Sequence, residues 1–232
     1  MNPTPDISIL ILTRNEAPNL ARLLPALAQA TAKLGRVEVV VVDAQSPDGT
    51  AAVASSLGAR VLSQAEAGYA NALRQGLADC RGEWIVALDA DLSHGPEVVA
   101  ALLQAASAAD LVIASRYVPG GRADMPLSRR LLSLALNRVF AVALGLPLRD
   151  LSSGFRVYRR AALAALQTRG EHFDVLPELA ALAHFRGLRV RELPFHYRQR
   201  DAGVSKARVL HFAPAYLRTL LRCWRAKRRA AA

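Results

Sequence analysis

The first 120 residues repeat one pattern: a short apolar run, a polar turn, then a stretch with helical spacing. The runs are DISILILT (6–13), VEVVVVD (37–43), ARVLS (59–63), EWIVALDAD (83–91) and DLVIASRY (110–117). Apolar runs of this length without alternation belong to strands buried on both faces. Helical stretches separate them at about 18–34, 50–57, 71–80 and 96–106. Pro18 suits a first helical turn, and SPDGT (46–50) is a turn signal. Strands separated by helices of about ten residues dictate an α/β fold, a mostly parallel sheet with helices on both faces.

Composition narrows the class. The chain has 232 residues, 52% of them hydrophobic, enough for a sizeable core and too apolar for disorder. The nearest approach to a membrane span, LLSLALNRVFAVALGLPL (131–148), carries Asn137 and Arg138 at its centre, so no transmembrane helix is expected. No basic segment leads into an apolar one at the N-terminus, so no secretion signal is expected. Cys80 and Cys223 stand far apart, which fits a reducing compartment and excludes a disulfide scaffold.

In parallel α/β sheets, ligands bind at the carboxyl ends of the strands. There the chain places Thr13-Arg14-Asn15-Glu16, Asp43, Asp89-Ala90-Asp91 and Ser115-Arg116. Side chains two apart on an extended chain point the same way. The Asp89 and Asp91 carboxylates would repel each other unless a cation lay between them. Mg²⁺ and Mn²⁺ take one or two protein carboxylates and complete their shells with water and substrate phosphates. An isolated D-x-D is usually a polar turn. This one follows an apolar strand among other polar strand ends, which favours a metal. Asp43 has two readings, a cap on the following turn or an acceptor from a nucleotide base or ribose. No dinucleotide-binding or P-loop glycine pattern and no zinc spacing occurs, and the five histidines are dispersed as packed or surface residues.

Charge is segregated. Residues 1–120 hold 8 basic and 12 acidic residues, a net of −4, and residues 121–232 hold 22 and 7, a net of +15. The basic half therefore faces something anionic: nucleic acid, a phosphorylated ligand or a membrane surface. Its loops, SRYVPGGRADMPLSRRLLS (115–133), RDLSSGFRVYRR (149–160) and QRDAGVSKAR (199–208), combine Arg with Gly and Ser and can wrap a phosphate. LRVRELPFHYR (188–198) alternates as a strand. From Ala207 an amphipathic helix is expected, bent near Pro214, with Leu217, Leu220, Leu221 and Trp224 on one stripe and Arg218, Arg222, Arg225 and Arg229 on another. It either lies on an anionic membrane or packs on the domain with its basic face in water.

ISILILTRNEAPNL, VEVVVVDAQSPDGT, RGEWIVALDADLSHGPE, DLVIASRYVPGG, PLSRRLLS, RDLSSGFRVYRR and RDAGVSK stand in this order over residues 6–208. In this the chain resembles the polyprenol-phosphate sugar transferases, above all the dolichol-phosphate mannosyltransferases, inverting family-two glycosyltransferases of the GT-A fold. The Q-x-x-R-W motif of polysaccharide synthases is absent. The resemblance implies a catalytic domain over 1–206, with a nucleotide and metal half (1–120) and an acceptor half (121–206), followed by a basic segment over 207–232. It implies that Thr13, Glu16, Val41, Asp43 and Ala90 contact the nucleotide sugar, with Arg200 and Lys206 closing over it. Asp89 and Asp91 would hold Mg²⁺ or Mn²⁺. Arg116, Arg129 and Ser133 would bind the acceptor phosphate, and Asp91, Arg116 and Arg129 would carry catalysis. The implied donor is GDP-mannose ahead of UDP-glucose, and the acceptor a polyprenyl phosphate, with a family-two glycosyltransferase acting on another anionic or hydroxyl acceptor as the nearest alternative. The implied location is cytoplasmic, at the inner face of the membrane, with room for a separate anchoring partner and no role for nucleic acid. The chain departs from the usual pattern at Arg14, where a tyrosine is common, at Ala44-Gln45, and at Ser93, where some members use glutamine on the metal.

A phosphomonoester with a second pKa near ~6 is largely an anion at neutral pH and needs little help from a base. The chemistry expected is in-line displacement with inversion, helped by positioning and charge. A nucleotidyltransferase would need a glycine-rich basic loop after the first strand, and TRNEAPN is poor for that. A nucleic-acid-binding protein would need a binding module or interleaved surface aromatics, and neither is evident.

Overall fold

The computed structural model describes residues 4–198 and 212–230. The apolar runs form β1 (Ile7–Thr13), β2 (Val37–Asp43), β3 (Arg60–Ser63), β4 (Trp84–Asp89) and β5 (Leu111–Ser115). Among them lie α1 (Ala17–Thr31), α2 (Thr50–Ser56), α3 (Tyr69–Asp79) and α4 (Val99–Ala106), the last entered through a 3₁₀ turn at Pro96–Val98. The basic half adds β6 (Arg122–Ala123), α5 (Leu127–Leu144), β7 (Arg156–Arg159), α6 (Arg160–Leu163), α7 (Val175–Phe185), β8 (Val190–Pro194), β9 (His196–Tyr197) and α8 (Ala213–Ala230).

Seven strands make one sheet in the order β3-β2-β1-β4-β7-β5-β8, and β6 pairs with β9 separately. The sheet is parallel except for β7, which runs antiparallel between β4 and β5. Because β7 is reversed, its entry lies level with the exits of the parallel strands. Ala87 pairs with Arg156, so Asp89 comes level with Gly154.

Alternate residues serve two cores. Ile7, Ile9 and Ile11 pack with α1, α2 and α4, and Leu10 packs with α3, α5, α7 and α8 on the other face. Cys80 and Cys223 are buried free thiols, and burial pushes both up to about 12. They are therefore protonated, inert packing residues at neutral pH. No helix among the described residues is long and apolar enough to cross a membrane.

The described part of the C-terminal segment packs on the domain. Ala215, Tyr216, Thr219 and Cys223 form its buried face. Thr219 donates to Asp174, and Arg222 pairs with Glu178. The outward stripe is narrower than its spacing predicts: Leu217, Leu221 and Trp224 are exposed, and Leu220 turns into the core. Pro214 sits in the first turn of α8, and residues 207–211 of the expected helix lie outside the described residues.

Candidate active site

In-register pairing of β1 with β2 ends both strands at one level, with Thr13 opposite Asp43. Thr13 Oγ1 donates to Asp43 Oδ1 at 3.0 Å, and the Ser46 amide and hydroxyl bond the same carboxylate. Asn15, Gln45 and Leu92, just past β1, β2 and β4, hold φ of 58°, 54° and 62°. Left-handed backbone at residues other than glycine is strained and gathers at functional sites. Here it turns three consecutive strand exits over one opening.

That opening is a cavity of about 570 Å³. Its wall includes Thr13, Glu16, Asp89, Ala90, Asp91, Arg116, Arg129 and Ser133. Eight residues predicted for the site thus share one chamber. Two others do not line it. Val41 is fully buried in the core beneath α1, and the Asp43 carboxylate accepts from Thr13 and Ser46. Asp43 braces the rim, as the capping reading expects. Arg200 and Lys206 lie outside the described residues.

The paired carboxylates differ in setting. The Asp91 residue is 4% exposed, and its Oδ1 accepts from the amide and hydroxyl of Ser93. Ser93 therefore serves as an orienting donor. Asp89 is half-buried and faces Gly154, where an added Cβ would lie 3.7 Å from Asp89 Oδ1 and 3.1 Å from the Tyr69 hydroxyl. Glycine keeps that space open. Burial, and then the nearby Asp89 charge, hold the Tyr69 hydroxyl well above its ordinary pKa, so it stays protonated.

No group of three or more His, Cys, Asp or Glu among the described residues is placed to hold a metal. The protein's own offer is two carboxylates. That set is too poor for a structural zinc site. It fits a hard divalent ion whose other positions go to water and substrate phosphate.

The basic wall has an internal division of labour. Arg116 Nε and Nη2 clasp Asp150 at 2.7 Å each, and the Arg116 amide and Ser152 bond it as well. Burial alone would lower the Arg116 pKa, but the Asp150 carboxylate reverses this and holds it above its ordinary value. Arg116, which lines the cavity, is thus already neutralised by Asp150. Arg129 has no carboxylate partner among the described residues and faces the cavity. Ser133, one turn along α5, approaches Ser152 at 3.4 Å. Asn137 donates to Ser152 and accepts from the Leu151 amide, which explains a polar residue inside an apolar helix. Met125, Leu136, Phe173 and Leu176 add an apolar lining.

Several wall residues escaped the sequence reading. Gln64 follows β3 as the predicted residues follow the other strands, and the strand-end rule finds it once applied there. Ser152, Ser153 and Gly154 precede a strand, so that rule misses them until β7 is known to be reversed. His94, read as packed or surface, is buried and lines the cavity.

The model for glycosyl transferase family 2 matches residues 8–166. The chain is 34% identical over 232 residues to the polyprenol monophosphomannose synthase of Mycolicibacterium smegmatis, covering 89% of this chain and 82% of that one. It is 36% identical over 214 residues to the undecaprenyl-phosphate mannosyltransferase of Micrococcus luteus, covering 85% of each. To the dolichol-phosphate mannosyltransferase of Pyrococcus furiosus it is 33% identical over 210 residues, covering 86% of this chain and 58% of that one. Its fold is that of glucosyl-3-phosphoglycerate synthase from Mycobacterium tuberculosis, solved with Mn²⁺, UDP and phosphoglyceric acid. The TM-score is 0.76 at 20% identity, over 95% of this chain and 78% of that one. With strand exits, paired carboxylates and a basic wall meeting in one GT-A cavity, the chain belongs to glycosyl transferase family 2.

Proposed function

We propose that this glycosyltransferase moves mannose from GDP-mannose to a polyprenyl phosphate at an anionic membrane surface. The observation that carries the reading is that one cavity joins the Asp89-Asp91 pair to Arg129, Ser133 and an apolar lining. The first suits a sugar-linked diphosphate, and the second suits a phosphate attached to a hydrocarbon chain. The names of the three relatives support the same acceptor class and the same sugar.

The acceptor phosphate needs no base, being mostly dianionic near neutral pH. Its oxygen bonds to the anomeric carbon as the bond from that carbon to the nucleoside diphosphate breaks, and the configuration inverts. Arg129 and Ser133 hold the nucleophile and screen its charge from the donor. Arg116 fixes the wall through Asp150 and Ser152. Thr13, Glu16 and Ala90 border the nucleotide, with Arg200 and Lys206 closing over it. Asp89 and Asp91 would hold Mg²⁺ or Mn²⁺, which when bound supplies charge against the leaving diphosphate.

Labelled GDP-mannose and UDP-glucose incubated with polyprenyl phosphates, with and without Mn²⁺, test this. Mannose should appear on the lipid with inverted configuration. Failure of every polyprenyl phosphate to accept sugar would overturn the acceptor assignment. Retention of configuration would overturn the single displacement. Arg129→Ala should raise KM for the lipid about 10- to 100-fold, the worth of a charge-assisted hydrogen bond, and leave the donor KM within about twofold. Equal losses on both substrates would put Arg129 at the donor.

The membrane part of the reading is supported by the outer face of α5. Leu127, Leu131, Val139 and Val142 are 52–67% exposed beside exposed Arg130 and Arg138. A water-facing helix surface is ordinarily polar. This one, with the Leu217-Leu221-Trp224 stripe of α8, suits insertion among anionic lipid headgroups. Leu131→Glu combined with Val142→Glu should cut co-sedimentation with phosphatidylglycerol vesicles at least about tenfold, since each buried side chain contributes about 1.5–3 kcal/mol. Unchanged co-sedimentation would remove α5 from the membrane contact.

A further inference from the structure

The segment Asp89–His94 folds back on itself. Leu92, in the left-handed region, makes the reversal, and the His94 ring returns to the strand end it follows. His94 Nδ1 accepts the Asp89 amide N–H at 2.9 Å. A backbone amide only donates, so Nδ1 carries no proton and the ring's proton resides on Nε2. Nε2 lies 3.8 Å from Asp89 Oδ2. That is too long for a hydrogen bond as it stands, and the two atoms would have to draw together. The ring has little freedom to leave. It is 3% exposed, stacks on Phe155 at 4.9 Å, and meets the edges of Phe195 and Tyr197 at 5.8 and 6.2 Å. Across the same loop Ser93 holds Asp91.

We propose that His94 is a positioning residue for the paired carboxylates, its Nε2–H drawing one oxygen of Asp89 towards the ring and leaving the other to the cavity. The six-residue segment then orients both of its own acids, Asp91 through Ser93 and Asp89 through His94. The inference rests on the divalent-ion reading of that pair. It gives His94 the role that outer-shell donors play around metal-binding carboxylates, whose loss commonly weakens metal binding about 10- to 100-fold.

Two substitutions separate the ring's two nitrogens. His94→Asn retains an acceptor near the Nδ1 position and has nothing at that of Nε2. His94→Gln supplies an amide N–H near the Nε2 position. Mn²⁺ binding to the full chain with GDP present, followed by electron paramagnetic resonance, should weaken about tenfold or more in His94→Asn. It should return to within about threefold of wild type in His94→Gln. Thermal melts without metal record any structural cost of each change. Wild-type affinity in His94→Asn, or equal weakening in both variants, would overturn the proposal. Asp91→Ala run alongside distinguishes the deeper failure: if it binds Mn²⁺ as wild type does, the divalent-ion reading falls and takes this proposal with it.

Discussion

Asp91→Ala should lower kcat/KM by about 10³-fold or more and leave the protein folded. Removing one well-placed stabilising group of an active site commonly costs 10²–10³, and on the proposed mechanism Asp91 would supply half of the carboxylate pair that holds the metal against the leaving diphosphate. The fold should survive because the Asp91 bonds to the amide and hydroxyl of Ser93 stay within one loop. The sheet and both hydrophobic clusters are built from other residues. The discriminating measurement is turnover with Mn²⁺ and with chelator. Wild type should be stimulated by the ion, and Asp91→Ala should run at the wild-type chelated rate under both conditions. Ion-stimulated turnover surviving in the variant would remove the pair from the reaction.

Legibility followed the physics of strand ends. Apolar runs declare parallel strands, and parallel strands declare where their exits lie. TRNE, DAD and Ser115-Arg116 could therefore be assembled before any coordinates. What stayed hidden depends on contacts that local pattern does not encode. β7 is four residues long and opens with Arg156, a charged residue that is nonetheless fully buried. Its guanidinium donates to the carbonyls of Leu151, Ser153 and Leu176. A buried arginine held by backbone carbonyls reads in sequence like a surface one. The apolar α7 gives little periodic signal, because it has no polar face to set its period. Val41 shows the converse error: its neighbours lie at the rim, but its own side chain points into the core. The division of labour between Arg116 and Arg129 was equally invisible, because it turns on an aspartate 34 positions away.

That aspartate yields the largest expected effect on stability. Asp150 is fully buried and accepts from the Arg116 amide, Nε and Nη2 and from Ser152. Burial alone would raise its pKa, but the Arg116 charge and hydrogen bonds overcome this and hold it below the ordinary 3.8. Removing one partner of a buried pair strands the other, at a cost of about 3–5 kcal/mol. In a chain of this length that corresponds to a fall in Tm of roughly 6–20 °C. Asp150→Asn keeps the shape and removes the charge, so it should show this loss at pH 7. A depressed carboxylate pKa gives stability that is fully present above the unfolded value and is lost as pH falls through the folded one. The gap between wild type and Asp150→Asn should therefore be widest near neutrality and narrow below about pH 4, where the Asp150 carboxylate of the unfolded chain begins to protonate, and it should go on narrowing as pH falls towards the lower folded value. Urea melts of both proteins at pH 7 and pH 3 measure the two gaps. Equal gaps would mean that packing, rather than charge compensation, accounts for the loss. A wider gap in acid would reverse the assigned direction of the Asp150 shift. In either of those cases Arg116 would no longer count as neutralised in advance, and it would rejoin Arg129 as a charge free to meet the acceptor phosphate.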